Sequence, residues 1–410
     1  MPKILHLADI HIGMENYGRI DPATGLHTRL LDFLARLDEA ITHALEIDPV
    51  DLVIIAGDIY KTRTPNPTHQ REFAKRMLRL IQARLPIVIL TGNHDLPGGS
   101  GRAHSVEIFG TLAIEGVTIA DRLAVHLIPT RNGPVQIVAI PWLSAQMLLT
   151  KDDSQGLPMI ALESEMIRRV EHWLDAQLPT LDPGIPTVLT FHGSISGATY
   201  GGERSLMLGR DLVLPRSVIA RPPVDYVALG HIHKHQVVGE APPAVYPGSL
   251  ERIDFGEEHE AKGFVIVDLA PGRADWRFVP VAARPFHTIE VDVTEVADPQ
   301  ARVLTAIRKR DLADAVVRLQ VQCTPAQRPH LDDKALRAAL EEGGAAFVAS
   351  LVIEAARSTR TRYAAIADEL RTGITPRRAL ELYLQSRNIA AARQVQLLDA
   401  FDHMAQQGND

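Results

Sequence analysis

The chain is 410 residues long, a length that suggests two or three domains rather than one. Apolar residues make up 46% and charged residues 23%, enough to bury a large core and too ordinary for general disorder. A net charge of -7 argues against a protein that coats nucleic acid through a broad basic surface, but leaves a nuclease open, because bound divalent ions supply positive charge where a phosphate sits.

A single cysteine, Cys323, permits neither an internal disulfide nor a cysteine-based zinc site, and fits a reducing compartment. The N-terminal MPKILHLADIH has no basic n-region, apolar h-region or cleavage site, and no stretch approaches the ~20 apolar residues that span a bilayer. The expected location is the cytoplasm, with no membrane partner.

In chain order, residues 4–8 read as a buried strand and 29–47 as an amphipathic helix carrying Leu30, Phe33, Leu34, Leu37 and Ile41. A strand at 52–56, a helix at 68–83 and a strand at 87–91 follow, an alternation that argues for α/β layering with right-handed crossovers. Later runs at 135–140, 187–191, 226–229, 264–269 and 276–281 read as strands. Residues 150–159, polar with Gly156 and Pro158, read as a loop. From about Pro285 the pattern changes to strands at 289–293, 316–321 and 347–353, with helices at 301–309 and 333–341, enough for a small α+β domain. Residues 357–362 (RSTRTR) read as a basic linker, and helices at 377–385 and 391–405 close the chain after Gly373 and Pro376.

Five polar motifs follow apolar runs: Asp9-Ile10-His11, Gly57-Asp58, Gly92-Asn93-His94-Asp95, His192-Gly193 and Gly230-His231-Ile232-His233. Open α/β sheets build their sites at the carboxyl ends of strands, where loops are free to vary. Taken singly each motif has a plainer explanation, since a lone Asp-x-His or Gly-Asp is more often a turn and a lone His192 is commonly hydrogen-bonded structure. The ordered set is much harder to reach without a metal site. Its mixture of carboxylate, amide and imidazole suits Mn²⁺, Fe²⁺ or Zn²⁺ better than Ca²⁺ or an all-oxygen Mg²⁺ site. His104, His235 and His259 read as structural.

This ordered set resembles the calcineurin-like metallophosphoesterases. The resemblance implies a four-layer α/β/β/α sandwich and two metal ions, with manganese expected and iron, zinc or magnesium as alternatives. Carried over by motif, Asp9, His11, Asp58 and His233 would bind one ion and Asp58, Asn93, His192 and His231 the other, with Asp58 bridging. Paired cations make a water acidic and offset the charge of the phosphate. With Asn93 a ligand, the side chain of His94 is expected to diverge from it and to serve as the acid for the leaving oxygen, and Asp95 to accept its other ring N–H.

Within that superfamily the chain resembles the SbcD-type nucleases, relatives of double-strand-break repair nucleases. The matching runs are LHLADIHIG (5–13), AGDIYKTRTPNPTHQREF (56–73), LTGNHDLP (90–97), LGHIHKHQ (229–236) and YPGSLERIDFGEEHEAKGF (246–264). The last discriminates best, because generic phosphatases lack it. The resemblance implies a DNA exonuclease and hairpin endonuclease of repair and recombination, nucleoid-associated, and homodimeric through the phosphoesterase domain. One departure is Lys61, where several relatives carry a histidine. A lysine grips phosphate as a point charge and is a poor proton donor near neutral pH, so Lys61 is a candidate substrate contact.

The expected domains are 1–284 for the nuclease, 285–354 for a small capping, DNA-contacting domain and 355–410 for the linker and helical tail. On the last helix Val395, Leu398 and Phe401 recur every three residues with Leu397 and Met404 alongside. That stripe packs either on the tail's own first helix near Leu380 and Leu384 or, as the resemblance implies, on the coiled-coil base of an SbcC-type ATPase. Two other functions compete: a phosphodiesterase or phosphatase for small molecules or phosphoproteins, and a silent scaffold. Some 130 residues beyond the core disfavour the first, and intact motifs disfavour the second.

Overall fold

The structure is a computed structural model that describes residues 1–97, 102–149, 158–201, 211–355, 375–386 and 391–407. Of the loop expected at 150–159, residues 150–157 lie outside the described residues, as does the basic linker at 357–362, while Met159 begins a helix. The chain divides into two compact units, one of Met1–Ile289, Leu304–Leu319 and Asp333–Leu351, the other of Glu290–Val303, Gln320–Asp332 and Val352–Asp410.

The first unit is built on two six-stranded sheets. Its strands are Lys3–Leu7 (β1), Leu52–Ile55 (β2), Ile87–Leu90 (β3), Val117–Ala120 (β4), Ala124–Ile128 (β5), Val135–Ile140 (β6), Thr187–His192 (β7), Ser194–Ile195 (β8), Val213–Leu214 (β9), Tyr226–Gly230 (β10), Gln236–Glu240 (β11), Pro243–Tyr246 (β12), Gly263–Ala270 (β13) and Arg273–Pro280 (β14). One sheet runs β14-β13-β1-β2-β3-β4 and the other β11-β12-β10-β7-β6-β5. Strands β1 to β4 pair in parallel in the first sheet and β12, β10, β7 and β6 in the second, while β13 and β14 join the first sheet antiparallel and β5 and β11 are antiparallel edges of the second.

Side-chain alternation divides each interior strand between two cores. In β1, Leu5 and Leu7 join the helix-covered core while Ile4 joins the core between the sheets. Val53 and Ile55 divide from Leu52 and Ile54 in the same way. The outer face of the first sheet is covered by helices Thr28–Thr42 (α1) and Pro67–Gln82 (α2), whose Leu30, Leu34, Leu37, Phe73 and Met77 lie in that core. The start of α2 is legible locally: Asn66 Oδ1 accepts the His69 N–H as an N-cap and Pro67 takes the first helical position. After the short helices Glu107–Thr111 (α3) and Ala145–Leu148 (α4), helix Met159–Gln177 (α5) covers the second sheet with Met166, Val170 and Leu174. The result is the expected α/β/β/α sandwich. Helix α5 was not expected, although those three residues recur every four positions. Strands β4, β5, β11 and β12 are too short and too mixed in polarity to announce themselves.

Further along, after the one-turn helix Arg216–Ile219 (α6), strands Phe286–Asp292 (β15), Val316–Cys323 (β16) and Phe347–Ala355 (β17) form a three-stranded sheet in that order. Helices Pro299–Arg308 (α7) and Asp333–Glu342 (α8) separate them in sequence. In the second unit, helices Pro376–Ser386 (α9) and Ala391–Gln407 (α10) pack on each other, tied by Arg377 Nε donating to Asp402 at 2.9 Å. The packed pair buries Leu384 and leaves Val395 and Tyr383 more than half exposed. Among the described residues no helix is long and apolar enough to cross a membrane.

One polar side chain crosses between the sheets. His6 of β1, fully buried, meets Tyr226 Oη at 3.0 Å and the Leu229 carbonyl at 3.1 Å, both on β10. Burial lowers its pKa to about 3. The unfolded chain therefore takes up a proton below pH ~6.5 that the folded chain refuses, so stability is full above that pH and declines as pH falls toward 3. Between pH 6 and 5 we expect His6 to account for up to about 1.4 kcal/mol of lost stability per unit. Urea midpoints of the wild-type chain and His6→Gln, both in chelator, check this: the variant should lose less on acidification, and parallel losses would assign the sensitivity elsewhere.

Candidate metal centre

The five motifs stand where their strands end: Asp9 and His11 after β1, Asp58 after β2, Asn93 to Asp95 after β3, His192 at the end of β7, and His231 and His233 after β10. Both sheets thus deliver side chains to one place. The backbone is strained to do so. Asp9, His11, Asp58 and His231 have positive φ, at 52°, 49°, 53° and 102°. Each such residue costs roughly 1–3 kcal/mol. Hydrogen bonds between the first two loops hold them there, Asp9 N to Gly57 O at 3.1 Å and His11 N to Asp58 O at 3.1 Å.

The glycines of the motifs do more than turn the chain. At Gly57, where φ is +92°, a Cβ would run into Nδ1 of His192. At Gly230 it would meet the Ala56 carbonyl and the same ring, and at Gly92 it would overlap the Asp58 carboxylate. Backbone from three loops lies against the side chains at the centre, and only glycine admits that approach.

Asp58 occupies the middle. Its Oδ2 is 3.8 Å from His11 Nε2 and 3.4 Å from His192 Nε2. Around it, three groupings have donor atoms within 4.8 Å of one another: Asp9, His11 and His233; His11, Asp58 and His94; and Asp58, His192 and His231. Asn93 Oδ1 lies 3.1 Å from both His192 Nε2 and His231 Nδ1. All seven residues expected as ligands are therefore together, and all but Asn93 are buried.

These contacts bring lone pair against lone pair. Nδ1 of His192 donates to the Ala56 carbonyl at 2.6 Å, which leaves its Nε2 as an acceptor aimed at the oxygens of Asn93 and Asp58. Nε2 of His11 and Nε2 of His233 face each other at 3.0 Å, and Nδ1 of His11 has no hydrogen-bond partner among the described residues. In the metal-free chain protons must fill these gaps. Burial would lower the pKa of His192, but Asp58 and Asp9 raise it to about 9. Burial would raise Asp58, yet His192, His11 and His94 hold it well below the carboxylate range. Burial pushes Asp9 up to about 7 against the pull of His192 and His233. Cations in these groupings would replace those protons, and the mixed oxygen and nitrogen donors fit divalent transition metals.

His94 stands at the edge of this set, half-buried, with a ring nitrogen within 4.8 Å of donor atoms of His11 and Asp58. It diverges from the ligands less than expected. Its orienting partner also differs: Nδ1 donates to the Lys61 carbonyl at 2.8 Å, not to Asp95. Asp95 is fully buried and accepts backbone N–H groups from Ile59 at 3.2 Å and Gly92 at 3.0 Å and the Ser105 hydroxyl at 3.1 Å. It fastens the loop after β2 to the loop after β3. Burial and the nearby Asp58 raise its pKa to about 6. Lys61 thus holds His94 through its backbone, while its ammonium group acts electrostatically on His11.

Two further carboxylates reach the centre that the motifs did not reveal. Glu257 Oε1 lies 2.8 Å from His233 Nδ1 and its Oε2 2.7 Å from the buried Lys262. Asp211 Oδ2 lies 3.0 Å from His231 Nε2. Glu257 sits inside the 246–264 run, where a carboxylate five residues before a lysine was its only signal, and Asp211 had none. The structural reading of His235 holds, since its ring stacks on Phe278 at 4.0 Å and bonds the Tyr246 carbonyl.

Residues 2–235 match the family described as Metallophos, calcineurin-like phosphoesterase. The chain is 28% identical over 336 residues to the D subunit of nuclease SbcCD from Escherichia coli strain K12, an alignment covering 80% of this chain and 76% of that protein. The protein of the same name from Escherichia coli O157:H7 gives the same figures. A solved structure, TT1561 of Thermus thermophilus, is similar with TM-score 0.37 at 14% identity over 68% of this chain and 98% of that one, a likeness too low to carry an argument.

The crowding at Gly57 is testable. We expect Gly57→Ala to displace His192 and weaken manganese uptake roughly 10- to 100-fold. Gly25→Ala, at φ +69° with open space around it, should cost only about 1–2 kcal/mol of stability and leave uptake unchanged. Asp58→Asn, which alters the central carboxylate, should also reduce manganese uptake. Calorimetric titration with Mn²⁺ alongside thermal melts checks all three, and unaltered binding in Gly57→Ala would refute the packing account.

Proposed function

We propose that this chain, which belongs to the calcineurin-like phosphoesterase family and is a metal-dependent phosphodiesterase, cleaves DNA, as a double-strand exonuclease and a single-strand or hairpin endonuclease of repair and recombination. The observation that carries the chemistry is the Asp58 carboxylate lying between His11 and His192, with the remaining donors grouped around it. DNA as the substrate is supported by the alignment with the D subunit of nuclease SbcCD, which covers 80% of the chain rather than the phosphoesterase core alone.

In this reading Asp9, His11, Asp58 and His233 hold one ion and Asp58, Asn93, His192 and His231 the other, with manganese favoured by the mixed donors. Bound there, the ions lower the pKa of a water and offset the charge of the phosphate. The chain's own groups do the rest. The Lys61 carbonyl fixes the His94 ring by its Nδ1 proton, leaving Nε2 to carry the proton that the leaving oxygen needs. The Lys61 ammonium steadies a phosphoryl oxygen as a point charge. Asp95 keeps the loops of Asp58 and His94 at fixed separation and takes no part in proton transfer. Residues 285–354 contact the DNA backbone, the chain works as a homodimer in the cytoplasm at the nucleoid, and α9 and α10 dock on an SbcC-type ATPase.

Assays of the purified chain with Mn²⁺ on blunt and hairpin DNA, beside a small phosphodiester, test the substrate. Turnover of the small ester with DNA untouched, even with the ATPase present, would sink the nuclease reading. His94→Gln should lower cleavage roughly 10²- to 10⁴-fold while manganese stoichiometry stays at the wild-type value; loss of metal would make His94 a ligand instead. Deleting residues 355–410 should abolish capture by the ATPase and leave Mn²⁺-dependent cleavage in place, and undiminished capture would move the docking site elsewhere.

A further inference from the structure

His231 and His233 are two residues apart in one loop, yet they meet the centre through opposite ring nitrogens. Nδ1 of His231 faces Asn93 at 3.1 Å and its Nε2 faces Asp211 at 3.0 Å. Nε2 of His233 faces His11 at 3.0 Å and its Nδ1 faces Glu257 at 2.8 Å. A carboxylate oxygen accepts, so the proton of each neutral ring lies on the carboxylate side and the lone pair on the inner side.

Each carboxylate is delivered by its own device. The short pairing of β8 with β9, Ser194 against Val213, brings Asp211 back beside the strand end that carries His192. There Tyr200 Oη donates to Ser194 Oγ at 2.9 Å, and Ser194 Oγ lies 3.4 Å from Asp211 Oδ2. Glu257 lies in the single turn Phe255–Glu257, held by the Ile253 N–H at 3.0 Å and by Lys262, whose Nζ also reaches Ser249 Oγ at 2.9 Å and the His233 carbonyl at 3.1 Å. The two braces share no residue.

We propose that Asp211 and Glu257 are positioning residues that lock His231 and His233 into opposite tautomers, so that each carboxylate governs one of the two metal positions independently of the other. The proposal rests on the two-ion reading above. An amide in place of either carboxylate keeps the shape but can turn an N–H toward the ring, which favours the tautomer whose lone pair points away from the centre.

Histidine side-chain ¹⁵N shifts of the metal-free chain, assigned with His231→Gln and His233→Gln, should show an Nε2–H ring for His231 and an Nδ1–H ring for His233. Asp211→Asn should change the first alone and Glu257→Gln the second alone, with Asp211→Glu restoring the first. In Mn²⁺ titrations each amide variant should weaken one of two ions roughly 10- to 100-fold, and the double variant both. Thermal melts identify any variant that fails to fold, and Asp211→Glu then supplies the comparison. Tautomers unmoved by either substitution, or both ions weakened alike in a folded single variant, would overturn the proposal. A wild-type chain that binds fewer than two ions would overturn the two-ion reading instead, a result distinguishable because the tautomer measurement needs no metal.

Discussion

The structure turns on the burial of Asp58 among groups that cannot satisfy one another without added positive charge. Its carboxylate has the rings of His11 and His192 beside it, Asp9 and Asp95 nearby, and accepts the His94 backbone N–H at 2.9 Å. A buried carboxylate beside two others is costly unless the charges are compensated. The metal-free chain manages this by protonating His192 and raising Asp9 and Asp95. Such an arrangement is held in readiness for cations, and the fold sustains it by strength elsewhere.

That strength comes from the interleaved cores. Every interior strand contributes to two of the three apolar layers, so the strand ends are fixed from both faces while the loops beyond them accept unfavourable φ values. The hydrogen bonds from Asp9 and His11 to the 57–58 backbone, and the Asp95 carboxylate on Ile59 and Gly92, convert that rigidity into loop geometry. His6 does the same for the two sheets, placing β10, and hence His231 and His233, in register with β1, and hence Asp9 and His11.

What could be read in advance follows from this division of labour. Apolar runs ending in Asp, His or Asn announced the strands and the cluster of candidate ligands together, because a buried parallel strand is a continuous apolar run and the polar residues at its carboxyl end follow it immediately. The supports were not legible in the same way. Asp95 adjoins His94 in sequence, which suggested a bond between them, but neighbouring side chains on a turn separate, and a carbonyl three residues after Asp58 took the role. Asp211 and Glu257 reach their histidines from remote loops, and no spacing rule links a carboxylate to a ring 20 or 24 residues away. Edge strands such as β5 and β11, half exposed and short, carried too weak an alternation to register.

The same carboxylates settle the order in which the site can fill. Asp9, Asp58, Asp95, Asp211 and Glu257 surround a small volume in which Lys262 is already committed to Glu257 and Glu260, and Lys61 stands at the rim. A phosphate entering before cations would meet a negative field in a region of low dielectric, where like charges repel most strongly. Cations held by these residues would supply the positive charge that offsets a phosphate there. Affinity for a phosphate ester at this site would therefore be conditional on metal, in a chain whose own net charge is -7.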